Sequence, residues 1–147
     1  GSLLWLANMT SPHLAYPVSQ LARFVGNPGR THINAAIRVL IYLSSHRDHE
    51  LRFAPASERP LEVYVDSSWL SRFSASGGLF FFNACLIHWF AKMQKSVSLS
   101  SAEAEYFGAM LAAKETVWLR DLLNEFGLLD PGPTVIWSDS KSAVDLA

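Results

Sequence analysis

Three acids stand where their neighbours would give them chemistry to do. Asp66 closes the run Leu61-Glu62-Val63-Tyr64-Val65, and Asp139 closes Val135-Ile136-Trp137-Ser138. Glu105 lies between them in Ser98-Leu99-Ser100-Ser101-Ala102-Glu103-Ala104-Glu105-Tyr106-Phe107-Gly108-Ala109. Both aspartates follow β-branched and aromatic residues, as at the end of a strand, and the glutamate follows a helix-start signal. Ser100 and Glu103 have capping-box spacing, which gives Glu103 a structural task. Glu105, two residues on in a helix of about 3.6 residues per turn, points about 200° away from Glu103, so the two acids cannot serve one site. Three carboxylates held together repel and raise one another's pKa, a cost that a hard cation such as Mg2+ or Mn2+ removes. Two such ions about 4 Å apart stabilise both the attacking water and the leaving oxygen of a phosphodiester. Taken singly, each aspartate reads more readily as a turn or cap residue, and only their order across three elements singles them out.

The elements around the acids must bring them together. Residues 61–66, 79–82 and 86–90 read as consecutive strands, with a loop over 69–78 and a turn at Asn83-Ala84, and such short connections make the strands antiparallel. A capped helix follows, with Tyr106, Ala109, Met110, Ala113 and Val117 as its core stripe and Gly127 as its stop. Its length, about 26 residues, calls for a bend or break near Lys114. After Pro131-Gly132-Pro133, residues 134–137 read as a fourth strand, and Ser140 caps a final helix. A strand, helix, strand unit whose connection crosses one face sets its two strands parallel. Asp66 and Asp139 then meet at the carboxyl ends of adjacent strands, where such sheets collect ligands, and Glu105 approaches from the helix. The expected fold is α/β, a mixed sheet with strands 1–3 antiparallel, a parallel fourth strand and helices packed on it.

Ahead of the sheet, residues 1–50 read as a small helical segment. Ser11-Pro12 starts a helix carrying Leu14, Val18, Leu21, Ala22 and Val25, and Asn27-Pro28-Gly29 breaks it. Thr31 is expected to cap a second helix with the apolar stripe Ile33, Ala36, Ile37, Leu40, Ile41 and Leu43 opposite Arg38. Residues 51–60 read as a linker with at most a short strand at 51–53, and 61–147 as the second domain.

With 147 residues, half of them apolar, the chain can bury a full core. Charged residues make up only 17%, and five Trp, nine Phe and four Tyr are many for this length, which points to apolar surface meeting another part of a larger polypeptide. A net charge of −1 is not the basic excess of a typical nucleic-acid binder. The bases are nonetheless concentrated early, with Arg23, Arg30, Arg38 and Arg47 against Asp48 and Glu50 in residues 1–50, and the acids dominate afterwards. The N-terminus has no secretory pattern and no apolar run reaches the ~18 residues of a membrane span, so an intracellular protein is expected. The lone Cys85 reads as a reduced core residue, and His88 as a core or edge histidine. His13, His32, His46 and His49 have no Cys partner at zinc-ligand spacing, which argues against a structural zinc site. No phosphate loop appears, and the serines have no triad order. Lys92, Gln94 and Lys95, after Trp89 and Phe90, read either as contacts to a duplex backbone or as a solvated loop.

Several blocks, in order, resemble the ribonuclease H domain of copia-type LTR retrotransposon polyproteins. They are Tyr64-Val65-Asp66-Ser67-Ser68-Trp69, Ser76-Gly77, Ser98 to Tyr106 as quoted above, Trp118-Leu119-Arg120, and Trp137-Ser138-Asp139-Ser140-Lys141-Ser142-Ala143. Gly1-Ser2-Leu3-Leu4-Trp5-Leu6-Ala7-Asn8, Ser19-Gln20-Leu21-Ala22-Arg23-Phe24 and Asn27-Pro28 resemble the helical tail of the preceding reverse transcriptase. The resemblance implies a ribonuclease H-like fold that cuts the RNA strand of RNA/DNA hybrids with Mg2+ or Mn2+, two ions in a complete site. It also implies the reverse transcriptase part of the same polyprotein as partner and a cytoplasmic or nuclear, virus-like-particle setting. By the same resemblance Asp66 is the ligand bridging both ions, Glu105 is the helix ligand because an apolar pair, Tyr106-Phe107, directly follows it, and Asp139 ends the fourth strand. Ser68 stands where the family usually has a second acid, and the loop from Trp69 to Gly77 lacks the usual acid-rich segment. The family's last strand, last helix and fourth carboxylate would follow Ala147, for which Asp145 is a poor substitute. Weak metal binding and low turnover are therefore expected of this chain, and a non-catalytic structural or nucleic-acid-contacting module is the alternative.

Overall fold

A computed structural model of the chain describes residues 1–54, 59–69, 73–128 and 131–146. The chain divides into two compact units, Gly1–Arg52 and Phe53–Ala147. The linker expected over 51–60 falls partly outside the described residues, and residues 51–54 form no strand.

The first unit is helical. Helix α1 (Ser2–Met9), a 3-10 turn at Pro12–Leu14, α2 (Ala15–Ala22) and α3 (Arg30–Ser45) follow one another. Its core is small, with Ala7, Leu14 and Val18 buried and Leu3, Val39, Tyr42 and Leu43 packed on them. Two expectations need correction. The cap of α3 is Gly29 rather than Thr31, and the His32 ring takes the Gly29 N–H through Nδ1 at 3.0 Å. The expected stripe is buried only in part: α3 packs through Val39, Tyr42 and the expected Leu43, whereas Ile33, Ile37, Leu40 and Ile41 remain about half exposed.

The second unit is a four-stranded sheet under one long helix. The strands are β1 (Glu62–Ser68), β2 (Ala75–Phe82), β3 (Cys85–Met93) and β4 (Val135–Trp137), in spatial order β3-β2-β1-β4. The β1/β2 and β2/β3 pairs are antiparallel and the β1/β4 pair is parallel, as the connections require. The β2–β3 turn places Asn83 at φ 50° and Ala84 at φ 61°, the left-handed pair that a two-residue hairpin needs to match strand twist. β2 begins earlier than expected, because Ala75 to Gly78 carry no apolar signal and read as loop. Cross-strand packing holds them instead: Gly78 lies so close under Phe90 that a Cβ there would overlap the ring.

Helix α4 (Ser101–Glu125) is one uninterrupted element, without the expected break. Its start is as the residues dictate, with the Glu103 N–H on Ser100 Oγ at 3.1 Å and Glu103 Oε2 accepting the Leu99 N–H at 2.6 Å. The buried face, however, is Ala104, Gly108, Ala112, Thr116, Leu119 and Leu123. Tyr106, Met110, Ala113 and Val117 point outward. Small residues on the N-terminal half let the helix approach the sheet closely, and the larger leucines fill the wider gap beyond. They pack on Leu61, Val63, Val65, Phe80 and Phe90. The other sheet face carries Trp89, Leu79, Tyr64 and Trp137 in register across all four strands, with Leu79, Tyr64 and Trp137 exposed.

A buried amide ties these layers together. Gln94 Nε2 donates to Ser76 Oγ at 2.8 Å and to the Ala104 carbonyl at 2.7 Å, while Gln94 Oε1 accepts from Ser98 Oγ at 2.8 Å. Ser67 Oγ extends the chain to Ser76 Oγ at 2.9 Å. Gln94→Ala strands these partners and opens a void, so the urea midpoint should fall by an amount equivalent to about 3 kcal/mol. A change below ~1 kcal/mol would mean that the network contributes nothing net.

Candidate metal centre

The pairing of β1 with β4 ends at Tyr64 opposite Trp137. Two residues beyond this pair come Asp66, still within β1, and Asp139, just past the end of β4. Asp139 sits in a turn held by the Ser140 N–H on Ser138 Oγ at 3.2 Å, and Ser140 Oγ in turn caps helix α5 (Lys141–Leu146) at the Ala143 N–H, 3.3 Å away.

Three contacts aim α4 at this pair. Trp69, just past β1, donates from Nε1 to the Ser98 carbonyl at 3.0 Å, pinning the chain that enters the helix. Gly108 lies against β1 with no room for a side chain, since a Cβ would overlap Ser67 Oγ. Arg120 donates from Nη1 to the Gly132 carbonyl at 3.0 Å and to Thr134 Oγ1 at 2.8 Å, tying the helix to the chain that enters β4. Sequence reasoning singled out none of these three as positioning residues. A glycine in mid-helix, where it weakens the helix, was the available signal.

The outcome is that one carboxylate oxygen from each of Asp66, Glu105 and Asp139 lies within 4.8 Å of the others, and among the described residues they are the one such cluster. Glu105 accepts the Ser67 N–H, yet its Oε2 is buried with no hydrogen-bond partner. Its pKa stands above the ordinary carboxylate value, chiefly through burial and then through the Asp66 charge, with a smaller push from Asp139 that the Ser67 N–H opposes. An unpartnered buried oxygen facing two further carboxylates is a set of hard donors without enough positive charge, and a divalent cation fits it.

The other expected site residues lie elsewhere. Lys92 Nζ pairs with Glu115 Oε1 at 2.8 Å and lies 5.3 Å from the centre of the Phe90 ring. Gln94 is buried and engaged in the network above, so it is not presented to a substrate; burial of its amide is the physical reason for this correction. Lys95 is exposed. His88 is half-buried between Phe80 and Trp118, with Nε2 3.7 Å from Glu115 Oε2, and burial holds its pKa low against the pull of Glu115.

No protein-family model and no solved structure matches the chain. Curated proteins do. The chain is 38% identical over its whole length to the retrovirus-related Pol polyprotein from transposon TNT 1-94 of Nicotiana tabacum, covering 11% of that protein. It is 33% identical over 99% of its length to the Pol polyprotein from transposon RE1 of Arabidopsis thaliana, 10% of which it covers. It is also 40% identical over 123 residues to secreted RxLR effector protein 161 of Plasmopara viticola, spanning 81% of this chain and 87% of that protein. The chain thus spans about a tenth of the Pol polyproteins it matches and nearly all of the effector. Along its whole length the chain is thus homologous to one stretch, about a tenth, of the retrovirus-related Pol polyproteins of plant transposons.

Proposed function

We propose that residues 61–147 are a ribonuclease H-type module of a Pol polyprotein, hydrolysing the RNA strand of RNA/DNA hybrids with Mg2+ or Mn2+. The observation that carries this reading is the convergence of Asp66, Glu105 and Asp139, with Glu105 Oε2 buried and unpartnered. The ion, when bound, supplies Lewis-acid stabilisation of the charge that develops on the phosphodiester. The chain's own residues do the rest. Asp66 and Asp139 fix two oxygens from the rigid edge of the sheet, and Glu105 adds a third from a helix locked by Trp69 and Arg120. Burial of Glu105 keeps water from competing for its oxygen. The exposed row Leu79, Tyr64 and Trp137 and the exposed α3 stripe are surfaces for other parts of the polyprotein, the reverse transcriptase portion included.

One observation favours the alternative of a non-catalytic module: Lys92 is neutralised by Glu115 and Gln94 is buried, so of the three expected substrate contacts only Lys95 remains. A hybrid with a labelled RNA strand separates the two readings. The expected result is slow cleavage of the RNA strand that requires Mg2+ or Mn2+ and vanishes in Asp66→Asn. Absence of cleavage both from this chain and from a chain extended past Ala147 would establish the non-catalytic reading.

A further inference from the structure

We infer that the helical unit carries a second metal site, of different chemistry, in which His13, His46 and His49 bind a borderline divalent cation such as Zn2+ or Ni2+ through imidazole nitrogens. All three lie in the Gly1–Arg52 unit. The His13 and His49 ring centres are 5.6 Å apart, and those of His46 and His49 are 4.9 Å apart. An open cleft of about 340 Å3 is lined by two of them, His13 and His49, with Asp48 and Glu50 among others. Glu50 is engaged with Arg52 at 2.7 Å, which leaves Asp48 as the carboxylate at hand.

Neighbouring groups orient two of these rings. His46 Nδ1 lies 2.9 Å from the Tyr42 carbonyl oxygen. A carbonyl only accepts, so Nδ1 carries a proton and Nε2 is the nitrogen open to an ion, and a backbone oxygen on the far ring nitrogen is what orients metal-bound histidines. Tyr42 also stacks on His46 at 4.2 Å between ring centres and meets His13 edge-on at 5.6 Å, holding two of the three rings. His13 is disfavoured as a cation by burial and by its two histidine neighbours, and it is the neutral ring that ligates. The nitrogens are not within 4.8 Å of one another as the acidic oxygens are. The ion therefore closes the site by rotation of exposed side chains, which limits its affinity. Nitrogen donors discriminate against Mg2+, so the two centres of this chain select different ions.

The test is calorimetric titration of the untagged full chain with Zn2+ and with Ni2+, alongside imidazole NMR spectra. The expected result is one equivalent of binding that excess Mg2+ does not displace, shifts of the His13, His46 and His49 ring signals, and affinity at least about tenfold weaker in His13→Gln and His49→Gln. Asp66→Asn, which removes a ligand of the acidic centre, should retain that Mg2+-resistant equivalent. Failure of the parent to bind either ion, or unaltered affinity in both histidine variants with unchanged circular dichroism, would overturn the proposal. So would loss of binding in Asp66→Asn, which would assign the ion to the acidic centre.

Discussion

Glu105→Gln is expected to make the metal-free chain more stable at neutral pH while weakening Mg2+ or Mn2+ binding by about a hundredfold. Both effects have one cause. The carboxylate is held above its ordinary pKa by burial and by Asp66 and Asp139, so its charge opposes folding when no cation is present. A group whose folded pKa is raised contributes stability that is complete below its unfolded value of about 4.5 and is lost as pH rises through the folded value. In EDTA the parent's thermal midpoint should therefore fall, relative to the glutamine variant, as pH is raised from 4 towards neutrality. The Ser67 N–H retains an acceptor in the amide oxygen, so the variant keeps that contact.

Adding the ion reverses the order. A cation tenfold above its dissociation constant stabilises the parent by about 1.4 kcal/mol, and the gain grows with pH because a proton and the metal compete for Glu105. The glutamine variant should gain almost nothing under the same conditions. Thermal unfolding of both proteins between pH 4 and 8, with EDTA and with Mg2+ or Mn2+, gives the comparison. A variant less stable than the parent in EDTA at pH 7, or one stabilised equally by the ion, would contradict a repulsive cluster that exists to hold a cation.

Much of this centre is legible in the residues. The carboxylates stand out because strands and helices impose different periods: two acids ending β-branched runs and one beyond a cap belong to three elements, and right-handed crossover fixes where those elements meet. The cap likewise freed Glu105 by occupying Glu103, and the structure keeps them apart in that way. What was illegible involves small or polar residues. The buried face of α4 is Ala104, Gly108, Ala112 and Thr116, which an apolar-stripe reading passes over in favour of larger Tyr106, Met110 and Val117. Residues 75–78 looked like loop because Ala, Ser and Gly carry no strand signal, although their partners on β1 and β3 pair them fully. Gln94 looked like a surface contact because burial of an amide depends on acceptors far along the chain, here Ala104 and Ser76. On α3, the isoleucines and Leu40 of the apolar stripe are exposed because only the face bearing Val39, Tyr42 and Leu43 meets the small core of its unit.

Gly108→Ala should destabilise the chain by about 2 kcal/mol, although alanine is the better helix former by about 1 kcal/mol. The sign is decided by what the new methyl group meets. It would overlap Ser67 Oγ and come within 3.4 Å of Ser76 Oγ and Val65 Cγ2. Ser67 Oγ cannot simply swing aside, because it donates to Ser76 Oγ, which also accepts from Gln94. The helix must therefore lift from β1 at the level of Ser67, within one turn of Glu105. Metal affinity should fall together with stability, which a defect confined to the core would not produce. Ser67→Ala removes the overlapping atom while costing about 1 kcal/mol for the lost hydrogen bond. In the double variant the two losses should add to less than their sum by at least about 1 kcal/mol, with part of the metal binding restored. Strict additivity in urea unfolding, or a Gly108→Ala chain as stable as its parent, would show that close approach of α4 to β1 is not what holds Glu105 against the aspartates.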